Sequence, residues 1–180
     1  MDLRLVAELP SPPAAVFAEV RDLDGYPAWL DLVEAAVPDV GGQATGGPEA
    51  GGSGSVGARP AWRVTLAARL GPVRRAKEVR MVRVTEQAPA LVRFQRAETD
   101  GRPHASWALT VSVEAKSVEA AQGRSDAGSR LTMRLEYGGR LWLPFLDLVV
   151  RDEATRAGPR LAALIAHQGG ATVAGPEPGA

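Results

Sequence analysis

The chain contains no cysteine. That single absence removes disulfide frameworks, thiol nucleophiles and cysteine metal sites, and it agrees with a reducing compartment. Histidine is nearly missing too, with only His104 and His167, so a zinc or other transition-metal site has almost no ligands and no metal or other cofactor is implied. Lysine is as scarce, Lys77 and Lys116 standing alone among arginines. There is no charge excess, because 21 Lys and Arg balance 21 Asp and Glu, and without a net field nucleic acid is not an expected partner. The longest apolar stretch, 141–150, is broken by Pro144 and Asp147 and is about half of the roughly 20 residues that a spanning helix needs. The first nine residues hold Asp2 and Glu8 and lead into Pro10, unlike a signal peptide, so a soluble cytoplasmic protein is expected.

What is present suits one domain, 1–168, with a disordered tail over 169–180. Leu3, Leu5 and Ala7 alternate with Arg4, Val6 and Glu8 as a strand that Pro10 stops. Ser11 reads as the N-cap of a short helix with Val16, Phe17 and Val20 inward. A second short helix or turn follows around Gly25 and Pro27, and 33–40 reads as a strand. Residues 41–59 and 116–128 are polar, small and aperiodic, as flexible loops are. Between and after them the period becomes two. Trp62, Val64 and Leu66 share one face, as do Val92 and Phe94, Trp107, Leu109 and Val111, and Leu131, Met133, Leu135 and Tyr137. In 73–86 the period breaks, since Val79 and Met81 oppose Val82 and Val84, and a β-bulge near Met81 would reconcile them. Asp100-Gly101 signals a hairpin turn. A long helix is expected over 141–167, with Leu146, Val150, Ala154, Ala157, Leu161, Leu164 and Ile165 as its apolar stripe.

The order of these elements, with the segments Pro12 to Val20 (PPAAVFAEV) and Asp22 to Leu30 (DLDGYPAWL), resembles the opening of the SRPBCC superfamily. That superfamily includes START lipid-transfer domains, plant pollen-allergen proteins and bacterial polyketide cyclase/dehydrase proteins. The resemblance implies an α+β helix-grip fold, a curved antiparallel sheet wrapped around the long C-terminal helix, enclosing a cavity closed at one end by the short helices. It implies a small hydrophobic ligand such as a lipid, quinone or polyketide. Relatives differ in what they bind and a few catalyse, so fold does not give reaction.

On that frame Trp62, Leu66, Phe94, Trp107, Leu109, Met133, Leu135 and Tyr137 face the helix as core or cavity lining, and Trp29, Trp142, Phe145 and Leu146 lie at the entrance. Trp142 and Phe145 flank Pro144 and offer a transient membrane contact. Arg74, Arg75, Lys77, Arg80 and Arg83 interleave with glutamates as a salt-bridged outer face. A bulge would turn Arg80 or Glu78 into the cavity, where a guanidinium suits a carboxylate or enolate. His104, opposite Trp107 in the alternation, reads as solvated before it reads as an acid or base. Asp152, Glu153 and Arg156 read as helix-surface pairing. Three functions follow: a carrier or binding protein, which needs only apolar burial; a cofactor-independent cyclase or dehydratase using Arg80, Tyr137 or His104; and an interaction module using Trp29 and Trp142. The number of inward polar side chains separates the first two.

Overall fold

The computed structural model describes residues 2–39, 59–70, 73–116, 128–139 and 146–171. Seven strands form one antiparallel sheet: β1 (Asp2–Leu9), β2 (Val33–Pro38), β3 (Ala61–Leu70), β4 (Val73–Gln87), β5 (Leu91–Arg96), β6 (Trp107–Lys116) and β7 (Gly128–Tyr137). Their spatial order is β1-β7-β6-β5-β4-β3-β2. The six later strands, β2 to β7, are neighbours in sequence order, and the first strand pairs with the last, Leu5 opposite Met133. Helix α1 (Pro13–Val20) and a 3₁₀ helix (Leu23–Ala28) follow β1, and helix α2 (Leu146–Ala171) ends the described chain. This is the helix-grip architecture.

Alternation explains the layering. In β1 every second residue from Leu3 to Leu9 is buried and every other one exposed, which is the signature of a strand with one face on a core. Core residues of β1, β3, β4, β5, β6 and β7 form one hydrophobic cluster with Ala157 and Leu161 of α2, which packs mainly on β1, and Leu164 and Ile165 lie at its margin. Gly158 lets the helix come close: an added Cβ there would stand 3.1 Å from the Ala7 side chain. The 3₁₀ helix buries Leu23 and Tyr26, and the Tyr26 hydroxyl donates to the Val20 carbonyl at 2.9 Å.

Several local expectations change. Ser11 does not cap α1: Pro12 occupies the cap position without a side-chain bond, and its carbonyl accepts from the amides of Ala15 and Val16. Ser11 instead offers its carbonyl to the buried Ser129 hydroxyl at 2.6 Å, tying the turn to β7. The bulge lies at Val84, between the pairs Arg83–Phe94 and Thr85–Arg93, rather than near Met81. Asp100-Gly101 does turn the chain, Gly101 at φ 70°, but the β5–β6 ladder ends at Gln95–Ala108, so the connection is a wide loop and not a tight hairpin. Lys116 and Gly128, placed in the expected second loop, form the last pair of β6 and β7. Helix α2 extends through Gly169 to Ala171, past its expected end at 167. Two glycines cost helix propensity without removing an amide donor, and the backbone ladder continues through them. The remainder of the two expected loops, the tail from 172, Trp142 and Phe145 lie outside the described residues, as does the side chain of Leu146. No described helix is long and apolar enough to cross a membrane.

Candidate functional site

The concave side of the sheet does not fill itself. A cavity of about 100 Å³ is bounded by Leu3 and Leu5 of β1, Val64 and Leu66 of β3, Val79 and Met81 of β4, Trp107 and Leu109 of β6, and Met133 and Leu135 of β7. Leu23, Tyr26, Leu30, Leu32 and Val33 close it from the 3₁₀ helix and the segment that follows. Each strand contributes residues two apart, because side chains of one parity share a face. The wall is therefore almost entirely hydrocarbon. Tyr26 adds little polarity, since its hydroxyl is committed to Val20.

One charged side chain borders this space, Glu153 of α2. It is 3% exposed. Its Oε1 accepts the main-chain N–H of Asp31 at 2.7 Å, and its Oε2 lies 3.8 Å from an Arg156 nitrogen. Burial pushes its carboxyl above the ordinary carboxylate range, the Asp31 amide and the positive charges of Arg156 and Arg160 opposing that rise. The sequence reading placed Glu153 on the helix surface beside Asp152. Asp152 does pair with Arg156, at 2.5 Å and exposed. Helical spacing carried the signal for Glu153, which precedes Ala157 by four residues and Leu161 by eight, within the apolar stripe.

Of the residues singled out in the sequence, Leu66, Trp107, Leu109, Met133 and Leu135 border the cavity. Trp62 and Phe94 share the concave face but pack on each other edge to face, centroids 5.7 Å apart, and the Trp62 indole N–H donates to Asp24 at 3.2 Å. Both belong to the core. Trp29, expected at the entrance, is 1% exposed and stacks tilted on Tyr26 at 4.9 Å, because the 3₁₀ helix turns it inward. Tyr137 packs edge-on against Trp107 at 5.0 Å, at the end of the sheet where β6 begins and β7 ends, and does not border the cavity.

Arg80 does not enter the cavity. Val79 and Met81 on either side of it point inward, and the bulge at Val84 comes too late to invert them. Arg80 lies on the opposite face, buried, with Nε donating to Asp39 at 2.6 Å and Nη1 to the Ala97 carbonyl at 2.8 Å. Glu78 shares that outer face and approaches Arg63 at 3.5 Å. His104 is exposed: Nε2 meets Asp100 at 2.8 Å and Nδ1 meets Arg96 at 3.2 Å. A guanidinium only donates, so Nδ1 accepts and Nε2 carries the hydrogen to Asp100. That geometry closes a surface loop and reaches no cavity.

The basic run divides between faces, where one outer face was expected. Arg74 pairs with Glu34 on the surface. Lys77 faces inward: it stands opposite Leu66, precedes cavity-lining Val79 by two residues, and places its ammonium 5.7 Å from the Trp107 ring centroid. Arg83 and Arg96 share this parity, Arg83 held by Asp22 at 2.8 Å and Arg96 by Glu98 at 2.6 Å. Lys77 was legible through its spacing to Val79 and Met81.

No protein-family model matches the sequence, and no curated protein matches it at a significant level. Solved structures do share the fold. A START superfamily protein from Mycobacterium smegmatis aligns over 93% of this chain and 98% of its own, with TM-score 0.58 and 10% identity. A Deinococcus radiodurans protein aligns over 91% and 98%, with TM-score 0.55 and 13% identity, and Ara h 8.0201 over 93% and 98%, with TM-score 0.50 and 13% identity. At these identities the likeness is one of backbone, and the chain has the helix-grip fold of the START-like proteins.

Proposed function

We propose that this protein binds and carries a small hydrophobic molecule, of the lipid, quinone or polyketide kind, in the cavity between the sheet and α2. The observation that carries the reading is the wall itself: leucine, valine, methionine and tryptophan from six strands surround a space, with Glu153 as the one charged group among the described residues. Taking apolar surface out of water there is worth about 25 cal/mol per Å². No catalytic residue is required for that. The folds aligned above include a START superfamily protein and Ara h 8.0201, which supports a ligand-binding use of this architecture.

A second reading, a cofactor-independent cyclase or dehydratase, draws on Glu153, a carboxyl held in an apolar wall with its proton affinity raised. Arg80 and His104 do not serve it from where they stand.

Native mass spectrometry of the protein purified from its own host tests the binding reading. A bound apolar molecule lost from a Leu109→Trp variant, whose indole fills the cavity, is the expected result. A protein that arrives empty and takes up no apolar fluorescent probe overturns it. Turnover of a reactive polyketide that survives in wild type and disappears in Glu153→Gln, with binding retained, would move the assignment to the enzyme.

A further inference from the structure

Two hydrogen-bond donors that find no acceptor among the described residues stand together on the concave face, at Trp107, which borders the cavity, and at Lys77 beside it. Lys77 is half-buried on the concave face, and among the described residues it makes no hydrogen bond or ion pair; its ammonium faces only the Trp107 ring. The indole N–H of that same Trp107 is buried and has no acceptor among the described residues. Nearby charge does not compensate. Glu98, whose field acts on Lys77, is occupied by Arg96 at 2.6 Å and by the Arg80 main-chain N–H at 3.2 Å. Arg75, exposed, shares the strand parity of Lys77 and adds positive charge toward the β3–β4 turn.

Unmet donors in a partly buried setting are unfavourable, and native structures keep few of them. The other inward cations show how the fold normally answers this, since Arg83 and Arg96 each hold a carboxylate. Lys77 is also one of only two lysines in the chain, and the other, Lys116, pairs with Glu8. Its ammonium loses solvation by burial and is opposed by Arg96, and both effects make its proton less tightly held. The attraction of an anionic oxygen would offset both.

We infer that the ligand is an apolar carboxylic acid, its hydrocarbon body against Leu66, Val79 and Leu109 and its carboxylate received by the Lys77 ammonium beside Trp107. This rests on the binding reading above and narrows it from hydrophobic molecules at large to those ending in an oxygen anion. A point charge with three rotatable donors suits a carboxylate delivered in varied orientations. The bond is charge-assisted, the stronger kind of hydrogen bond.

The test is competition for a neutral apolar fluorescent probe by straight-chain acids from hexanoate to dodecanoate, each against the matching primary alcohol. The acid of the best-fitting length should bind at least about 10-fold more tightly than its alcohol, the scale of a charge-assisted hydrogen bond. Lys77→Met should bring that ratio close to one, and Lys77→Arg should retain most of it. In wild type, independent of any variant's folding, the Trp107 indole proton resonance should move on adding the acid and stay in place with the alcohol. Equal binding of acid and alcohol, or a preference that survives Lys77→Met, overturns the inference and leaves the hydrophobic pocket standing. Failure of probe, acid and alcohol alike overturns the pocket, and the inference falls with it.

Discussion

Arg80 and Glu153 are buried to the same degree, 4% and 3% exposed, yet their surroundings differ. The region around Arg80, on the outer face of β4, meets its charge with the Asp39 carboxylate and the Ala97 carbonyl. The cavity wall around Glu153 offers one main-chain amide at 2.7 Å, an arginine nitrogen 3.8 Å away and hydrocarbon. Burial alone therefore does not say what a charge is for. A saturated charge such as Arg80 serves the fold, whereas a charge left with hydrogen-bonding capacity beside a cavity remains available to a ligand.

The largest expected effect breaks the saturated side of this comparison. Arg80→Met removes the buried guanidinium 2.6 Å from Asp39 and leaves that carboxylate to the exposed Arg63 at 3.8 Å and its other surroundings; breaking a buried pair costs up to about 3–5 kcal/mol. Urea denaturation measures it, and a loss below about 1 kcal/mol would mean that water already solvates the pair. Next, Trp107→Ala should cost about 3 kcal/mol, the low end for truncating a buried aromatic, because the ring already borders a void. A loss near 5 kcal/mol would make Trp107 ordinary core and weaken its place in the ligand site.

Glu153 sharpens the other side through pH. Its folded carboxyl is raised above the ordinary value of 4.5, so the folded protein keeps that proton to higher pH than the unfolded chain does. The stability this contributes is complete below 4.5 and is lost as pH rises through the folded value. Glu153→Gln does not ionise, and its stability relative to wild type should grow across that rise. Denaturation midpoints of both proteins from acid to neutral pH would reveal it; a constant difference would mean that the carboxyl is solvated. The smallest effect belongs to the exposed outer surface. Arg93 and Glu136, 3.1 Å apart and each more than a third exposed, should couple by less than about 1 kcal/mol in a double-mutant cycle.

Much of the fold was legible because period-two alternation over β1, β3, β6 and β7 assigns faces without knowledge of neighbours. The cavity wall followed in part. Leu66, Trp107, Leu109, Met133 and Leu135 were placed by parity, but parity does not separate wall from core, and Trp62 and Phe94 share that face while packing on each other. Trp29 and Glu153 depended on how the 3₁₀ helix and α2 are rotated against the sheet. Apolar type suggested an entrance for one and charge suggested solvent for the other. Both are in the interior.

The sequence by itself determined the order of elements, the inward face of most strands and the absence of cysteine chemistry, since these depend on local spacing and residue type. Tertiary structure alone decided that Arg80 is saturated outside the cavity, that Glu153 borders it, and that Lys77 meets Trp107 with no carboxylate paired to it among the described residues. These depend on strand register, the position of one bulge and the seating of a helix, which bring residues distant in the chain to within hydrogen-bonding reach.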